Sequence, residues 1–104
     1  MAEPEKKQKR ADLPKQCAQT PDFKKSWERY KRAGRRDMNE VRSVMVMLFL
    51  GEPLPARYRD HALTGNWNGF RECHIGGDFL MIYEHSRVDL VTFVDLGSHA
   101  ELFD

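Results

Sequence analysis

Residues 69–96 read GFRECHIGGDFLMIYEHSRVDLVTFVDL and decide the fold of this 104-residue chain. Three short segments of this stretch are rich in aromatic and β-branched residues, and they are separated by GGD at 76–78 and by SR at 86–87. Such segments are typical of strands, and connections this short leave no room for crossover helices. The stretch therefore predicts three consecutive antiparallel strands in a meander.

Two helices are predicted ahead of these strands. The sequence TPD at 20–22 is typical of a helix start, and aromatic residues at 23, 27 and 30 form one stripe, which predicts a first helix over Pro21–Ala33. Asp37 and Glu40 have the spacing of a capping box, so a second helix is predicted from near Met38. The short link between them predicts a helical hairpin. A short strand over residues 15–19 precedes it.

These elements predict a two-layer α+β domain, a two-helix hairpin packed on a small antiparallel sheet in the order β-α-α-β-β-β. We expect residues 20–104 to form this single domain and residues 1–19 to be a basic, flexible N-terminal extension. Apolar strand residues should meet the apolar stripes of the helices; they are Leu80, Ile82, Val91, Phe93 and Val94.

The composition excludes a membrane-spanning protein. Charged residues make up 32% of the chain, and no apolar stretch approaches the roughly 20 residues that a spanning helix needs. No secretory signal is visible, and Cys17 and Cys73 are too isolated for a disulfide scaffold. We therefore expect a cytoplasmic protein with no membrane partner.

Charge is segregated along the chain although the net charge is only +1. Residues 1–36 hold 12 Lys and Arg against 5 Asp and Glu, whereas residues 37–104 hold 5 against 11. Clustered cations bind polyanions because they release condensed counterions from phosphates. The pattern is equally typical of a solvated basic tail followed by a charged helix face.

Three histidines stand where antiparallel strands can bring them together. His61 precedes the meander, His74 lies near the end of its first strand, and His99 follows its last strand. With Asp78, these residues can form one cluster at an edge of the sheet. Each histidine alone is more typical of a surface residue, and His85 is interpreted in that way.

The spacing favours general acid–base chemistry over a metal site. The chain has no HxxH, HxH or HExxH repeat, so neither a metal ligand set nor a cofactor is expected. Imidazoles titrate near neutrality, so one can accept the proton of a ribose 2′-hydroxyl that attacks its phosphate while another donates one. Arg59, Arg71 or a protonated histidine can stabilise the charge that develops on the phosphate oxygens.

Residues 54–103 contain the combination DHxLxGxW, RExHIxxDFLxIY and GxHxELF. With the helical hairpin, this combination resembles the YafQ branch of the RelE superfamily of bacterial toxins over residues 20–104. The resemblance implies an mRNA interferase, an endoribonuclease that cuts mRNA in the ribosomal A site and inhibits translation. It also implies a cognate antitoxin, with operator DNA contacted only through the toxin–antitoxin complex.

The resemblance also implies roles for individual residues. His61 and His74 match acid–base and phosphate-binding groups of the family, Asp78 matches a base or orienting carboxylate, and His99 matches the histidine of the GxH motif. Phe79 takes the place of an aromatic residue beside the carboxylate.

Two further positions concern the substrate. Phe103 matches an aromatic residue that stacks on a base, although a place in the core is equally compatible with its position. Asp95 stands where some relatives have an arginine. Arg71 is the candidate replacement cation, unless it supports the fold through Glu72 or Glu84.

Two other functions remain open at this point. The chain could be an RNA-binding or ribosome-binding module, or a transcriptional co-repressor with its antitoxin, that has little cleavage activity. It could also be a metal-dependent protein that uses its histidines as ligands. The lysine-rich N-terminal extension would either touch ribosomal RNA or serve only as a solubility tail.

Overall fold

The computed structural model describes residues 15–104. Its elements are β1 (Gln16–Gln19), α1 (Pro21–Ala33), α2 (Met38–Leu50), β2 (His61–Ala62), β3 (Arg71–Gly76), β4 (Phe79–Arg87), β5 (Leu90–Gly97) and α3 (His99–Phe103). Short 3₁₀ turns at Ala56–Tyr58 and Gly65–Trp67 flank β2. Of the extension predicted for residues 1–19, residues 1–14 lie outside the described residues, and residues 16–19 form β1. The domain boundary at residue 20 stays a prediction.

The two predicted helices are confirmed at both of their starts. The Thr20 side chain accepts a hydrogen bond from the Phe23 amide at 3.0 Å, and Asp37 accepts one from the Glu40 amide at 3.1 Å. The Glu40 carboxylate accepts a hydrogen bond from the Tyr58 hydroxyl, so it ties α2 to the 3₁₀ turn that leads toward β2. Within residues 15–104, no helix combines the length and apolar character needed to cross a bilayer.

The five strands form one sheet in the order β1-β5-β4-β3-β2. Strands β2 to β5 pair antiparallel, which confirms the predicted meander and the α+β class. The sheet is mixed rather than purely antiparallel, because β1 pairs with β5 in parallel. The two helices and strands β2 to β4 separate β1 from β5 in the sequence, and β5 lies beside β1 and runs in the same direction.

The helices cover one face of the sheet, and the central strand β4 shows which side chains meet them. Phe79, Met81 and Tyr83 of β4 belong to the cluster that includes Phe23 of α1 and Val44 of α2. Alternate residues of a strand point to opposite faces, so Leu80 and Ile82 fall on the other side. The expectation that these two residues meet the helices is therefore wrong, although both are buried.

On β5, the expectation is confirmed for Val91 and Phe93, which are buried in the cluster with the helices. Val94 is only half-buried and lies outside it. Alternation explains this difference, because Val94 directly follows the helix-facing Phe93. Ile82 pairs with Asp95 and Tyr83 pairs with Phe93, so Val94 is also an extra residue at a β-bulge. The bulge shifts the alternation, and Leu96, opposite Met81, therefore joins the cluster with the helices.

Candidate active site

Two histidines share one buried carboxylate on the face of the sheet that the helices leave open. His61 Nε2 lies 3.1 Å from Glu72 Oε2, and His74 Nε2 lies 3.4 Å from the same oxygen. The Glu72 side chain is only 8% exposed, whereas that of His61 is 50% exposed. The ring centroids of the histidines are 6.1 Å apart. We call these three residues the His–Glu–His cluster.

Strand geometry explains why these residues meet. Glu72 and His74 are two positions apart on β3, so their side chains leave the same face. His61 of β2 is the cross-strand partner of Glu72, which brings its ring over that face. The two-residue strand β2 therefore delivers a histidine from a loop to a fixed position beside the carboxylate.

The backbone carbonyl of Arg59 orients the His61 ring. Its Nδ1 lies 2.8 Å from the Arg59 carbonyl, and a carbonyl oxygen can only accept, so Nδ1 carries the hydrogen. Nε2 therefore faces Glu72, and a hydrogen bond between them requires a proton on one of the two groups. The cluster can hold a transferable proton where it is open to a substrate.

Asp78 and His99 are joined through the backbone. Asp78 Oδ1 accepts a hydrogen bond from the His99 amide at 2.9 Å, which ties the turn between β3 and β4 to the first residue of α3. Ser98 and Glu101 complete a capping box at the same end. Asp78 thus fixes where α3 starts and where the backbone of His99 lies.

Aromatic side chains continue from His99 along α3. The His99 and Phe103 rings are one helical turn apart, with centroids separated by 4.9 Å. Phe103 meets Trp67 edge to face at 5.6 Å, and Trp67 meets Phe70 in the same way at 5.5 Å. Phe103 is half-buried rather than a core residue. Part of this aromatic row remains available for stacking.

Comparison with known proteins settles the family. The family model described as "Bacterial toxin of type II toxin-antitoxin system, YafQ" matches residues 15–104. The chain belongs to this YafQ family. The mRNA interferase toxin YafQ of Escherichia coli K12 is 39% identical to it over 83 residues, which cover 79% of this chain and 84% of that protein.

Solved structures agree with this assignment. A chain of the E. coli DinJ-YafQ complex is 32% identical and has a TM-score of 0.78, covering 86% of this chain and 99% of its own. A copper-bound mutant toxin from Helicobacter pylori is 34% identical with the same TM-score and coverage. The predicted resemblance is confirmed, and the predicted enzyme class, an mRNA interferase endoribonuclease, is the one that the curated YafQ relatives are named for.

Within this YafQ-family chain, the predicted cations do not gather at the histidines. Arg71 lies on the helix-facing side of β3, where it contacts Asp60 at 3.0 Å and the Tyr83 hydroxyl at 3.2 Å. The hydrogen bond to Asp60 raises the pKa of Arg71. Arg59 is exposed, next to β2, its backbone is left-handed with a φ of 48°, and its carbonyl lies 2.8 Å from His61 Nδ1. Of the two arginines, Arg59 thus contacts a histidine ring of the cluster, through its carbonyl.

Two other residues singled out in the sequence, Phe79 and His85, also contact side chains on the helix-facing side of the sheet. Phe79 is 2% exposed, and its ring packs on Tyr30 at 4.8 Å, beneath the Arg36 guanidinium at 5.0 Å. His85 is exposed, as predicted, and meets the Tyr83 ring edge to face. Partial desolvation of its ring, together with the positive charges of Lys15 and Arg71, lowers the pKa of His85.

Asp95 is a structural residue in this chain. Its Oδ1 accepts hydrogen bonds from the Ser26 hydroxyl at 2.7 Å and from the Leu96 amide at 2.8 Å. The contact with Ser26 anchors β5 to α1. Position 95 therefore brings no cation to the site.

Glu72 is the residue that the sequence interpretation missed. In the sequence, Glu72 stands out only as a possible partner of Arg71, which precedes it on β3 and points to the other face. The available signal was its spacing of two from His74, which places both side chains on one face of any strand. A glutamate at that spacing from a candidate catalytic histidine is itself a candidate.

Proposed function

We propose that this chain is a ribosome-dependent endoribonuclease that cleaves mRNA by metal-free general acid–base catalysis. The observation that carries the proposal is the convergence of two imidazole Nε2 atoms, from His61 and His74, on the buried Glu72 carboxylate at 3.1 and 3.4 Å. The groups are preorganised and open to solvent on the histidine side. Such an arrangement suits proton transfer at neutral pH.

The proposed reaction is transfer within the RNA backbone. An imidazole of the cluster accepts the proton of a ribose 2′-hydroxyl, whose oxygen attacks the adjacent phosphorus. The bond from phosphorus to the 5′-oxygen of the next nucleotide breaks, and a protonated imidazole donates a proton to that oxygen. The products are a 2′,3′-cyclic phosphate and a free 5′-hydroxyl. Glu72 holds both rings in place and stabilises whichever imidazole is protonated.

The remaining residues position the substrate in this proposal. His99 extends the set of titratable rings, and Asp78 fixes it through the backbone of α3. Phe103 offers a ring on which a base stacks. Arg59 is the exposed cation beside the cluster, which suits a phosphate contact. Arg71 and Phe79 act through the fold, because their contacts are with Asp60, Tyr83 and Tyr30.

The proposed partners follow from the same reaction. The substrate is mRNA in the ribosomal A site, and ribosomal RNA is contacted by the basic α1, whose five lysines and arginines are exposed. A cognate antitoxin neutralises the chain, as the solved DinJ-YafQ complex of the E. coli relative suggests. Operator DNA is reached only through the antitoxin complex. Because ribosomes and mRNA are the targets, the proposed compartment is the cytoplasm.

The test is primer extension on mRNA from cells that express each variant. We expect the wild-type chain to create discrete new 5′ ends, and a variant with both His74→Ala and His99→Ala to reduce them at least 100-fold while remaining folded. His85→Ala is the matched control, since it removes an exposed histidine from the other face. No new 5′ ends from the wild-type chain would favour an RNA-binding module or co-repressor without cleavage, and undiminished ends from the double variant would remove the proposed site.

A second candidate function is transition-metal binding at the His–Glu–His cluster. The ligand atoms of these residues lie within 4.8 Å of one another, and two imidazoles with a carboxylate form a common donor set for zinc or copper. The copper-bound H. pylori toxin, 34% identical, favours the same possibility. Titration of the purified chain with Zn²⁺ or Cu²⁺, with His61→Ala as control, tests binding. Undiminished mRNA cleavage in chelator would exclude a metal-dependent reaction.

A further inference from the structure

An open cavity of about 380 Å³ lies where the link between α1 and α2 meets the turn between β3 and β4. Three arginines line it, Arg35 and Arg36 from the link and Arg57 from the first 3₁₀ turn. Gly76 and Phe79, at the two ends of the β3–β4 turn, line it as well. We call this place the arginine cavity.

The two carboxylates that line the arginine cavity already have partners within the fold. Asp37 accepts a hydrogen bond from the Glu40 amide at 3.1 Å, and Glu40 pairs with Arg57 at 3.6 Å. Among residues 15–104, no carboxylate forms an ion pair with Arg35 or Arg36. These two exposed cations are therefore the groups in the cavity that an anion can bind.

Arg36 is held in place by an aromatic ring before any ligand binds. Its guanidinium lies 5.0 Å from the centre of the Phe79 ring, which itself packs on Tyr30. Attraction between the cation and the ring restricts the arginine side chain, so less entropy is lost when it binds a ligand. The planar guanidinium fork matches two oxygens of a phosphate. Arg36 is thus a preorganised phosphate ligand.

The β3–β4 turn separates the arginine cavity from the candidate active site. Gly76 follows His74 by two residues, or about 7 Å along β3. On the other side of the turn, Asp78 accepts the hydrogen bond from the His99 amide. A Cβ atom added to Gly76 or Gly77 would meet no heavy atom within 4 Å, so the surface of the turn is open. An RNA strand bound at His74 can therefore cross the turn and reach the arginines.

We propose that Arg36, together with Arg35, binds a second backbone phosphate of the mRNA, on the far side of the β3–β4 turn from the scissile one. The inference rests on the proposed function, which supplies mRNA as the substrate and places the scissile phosphate at the His–Glu–His cluster. Two phosphates held on either side of the turn fix the path of the RNA over the histidines. Because phosphate contacts position a strand without reading its bases, this site adds affinity and leaves the choice of cut site unchanged.

The test measures binding to ribosomes programmed with two mRNAs. One mRNA ends after the P-site codon, and the other continues through the A site with 2′-deoxy nucleotides there, which lack the attacking hydroxyl. We expect the wild-type chain to bind the ribosome with the longer mRNA more tightly. Arg36→Gln should lose about 10-fold in affinity for that ribosome, because a charge-assisted hydrogen bond to phosphate is removed. Its affinity for the ribosome with the shorter mRNA should equal that of wild type.

Two variants and a rate measurement serve as controls. Arg87→Gln removes one exposed arginine at the opposite end of β4 and should bind both ribosomes like wild type. Arg36→Lys keeps the charge without the fork and should recover part of the lost affinity. With all-ribose mRNA, Arg36→Gln should raise the ribosome concentration at half-maximal rate about 10-fold and keep the maximal rate, as expected when binding of substrate and transition state weakens equally. A folding defect would lower the maximal rate instead.

Two results would overturn the second phosphate site. Wild-type affinity of Arg36→Gln for both ribosomes would show that the arginine binds no RNA. An equal loss of affinity for both ribosomes would assign Arg36 to ribosomal RNA instead of mRNA. Failure of the proposed function gives a different result. A wild-type chain that gains affinity from the A-site nucleotides through Arg36, yet leaves all-ribose mRNA uncut, would overturn cleavage and retain the phosphate site.

Discussion

Cys73 and His74 are neighbours on β3, yet their side chains serve opposite layers of the molecule. Cys73 is fully buried in the cluster with the helices, and burial raises the pKa of its thiol far above the ordinary range. His74 stands beside Glu72 on the other face, with its side chain 24% exposed. Because successive side chains of a strand alternate, Cys73 and Ile75 of β3 join the core, whereas Glu72 and His74 belong to the candidate active site on the other face.

This difference separates stability from chemistry residue by residue. A substitution on the helix-facing side should change the free energy of unfolding and leave the rate per folded molecule intact. A substitution in the His–Glu–His cluster should change the rate and leave unfolding almost unchanged. The following substitutions test that separation, from the largest expected free-energy change to the smallest.

Phe93→Ala should have the largest effect. The Phe93 side chain is 1% exposed and packs on the Phe23 ring with centroids 5.8 Å apart. Its truncation should lower the free energy of unfolding by about 3–5 kcal/mol, because it removes buried area and leaves a cavity. Urea unfolding measures the loss. Cleavage per folded molecule should be unchanged, and a rate loss beyond the unfolded fraction would break the separation.

Glu72→Gln should affect the rate instead. The substitution keeps the shape but removes the charge that the two imidazoles share, so mRNA cleavage should fall about 10–100-fold, corresponding to about 1.5–3 kcal/mol. Single-turnover cleavage on programmed ribosomes measures it. Glu84→Gln is the matched control, because Glu84 is only partly buried and contacts Ser86. Equal rates for Glu72→Gln and wild type would remove Glu72 from the site.

Arg71→Lys should cost about 1–2 kcal/mol of stability, since an ammonium group cannot reproduce the guanidinium contacts with both Asp60 and Tyr83. Thermal unfolding measures the change. The cleavage rate should stay at the wild-type value because Arg71 lies on the helix-facing side. A fall in rate without a fall in stability would restore Arg71 as a substrate-binding cation.

Tyr30→Phe should have the smallest effect, confined to acid pH. The hydrogen bond from Tyr30, with that from the Ser98 amide, lowers the pKa of Glu101 below 4.5. Ionised Glu101 therefore stabilises the fold when the pH is above the pKa that Glu101 has in the unfolded chain. This contribution is lost as the pH falls through the pKa that Glu101 has in the folded protein. When the pH is lowered from about 5 to about 3, the melting temperature of the variant should fall by roughly 1–2 °C less than that of wild type. An identical acid profile would contradict this anchoring of α3.

The sequence predicted the parts of the fold that depend on local signals. Caps at Thr20 and Asp37 and the turns between strands define the helices and the meander, and all of them are recognisable in a single segment. The sheet face of Leu80 was not predictable in this way, because a one-residue shift in register exchanges the faces of β4. The bulge at Val94 depends likewise on pairing between strands.

The candidate site was predictable where a motif marked it, and only in part elsewhere. The sequence analysis expects His61, His74, Asp78 and His99 in one cluster. His61 and His74 meet at Glu72, whereas Asp78 and His99 lie outside this group and contact each other through the His99 amide. Glu72 was missed because its importance depends on β2 lying beside β3. That pairing places His61 opposite Glu72, 11 residues later in the sequence. Arg71 was included because its charge is visible in sequence, while its pairing with Asp60 is not.

The most direct test of the account compares His74→Ala with Cys73→Ala in ribosome-dependent mRNA cleavage at a temperature where both variants are folded. We predict that Cys73→Ala, despite its lower melting temperature, yields the same 5′ ends at the wild-type rate. His74→Ala should keep the wild-type melting temperature and lose at least 100-fold in rate. Wild-type cleavage by His74→Ala would contradict the assignment of the chemistry to this face of β3.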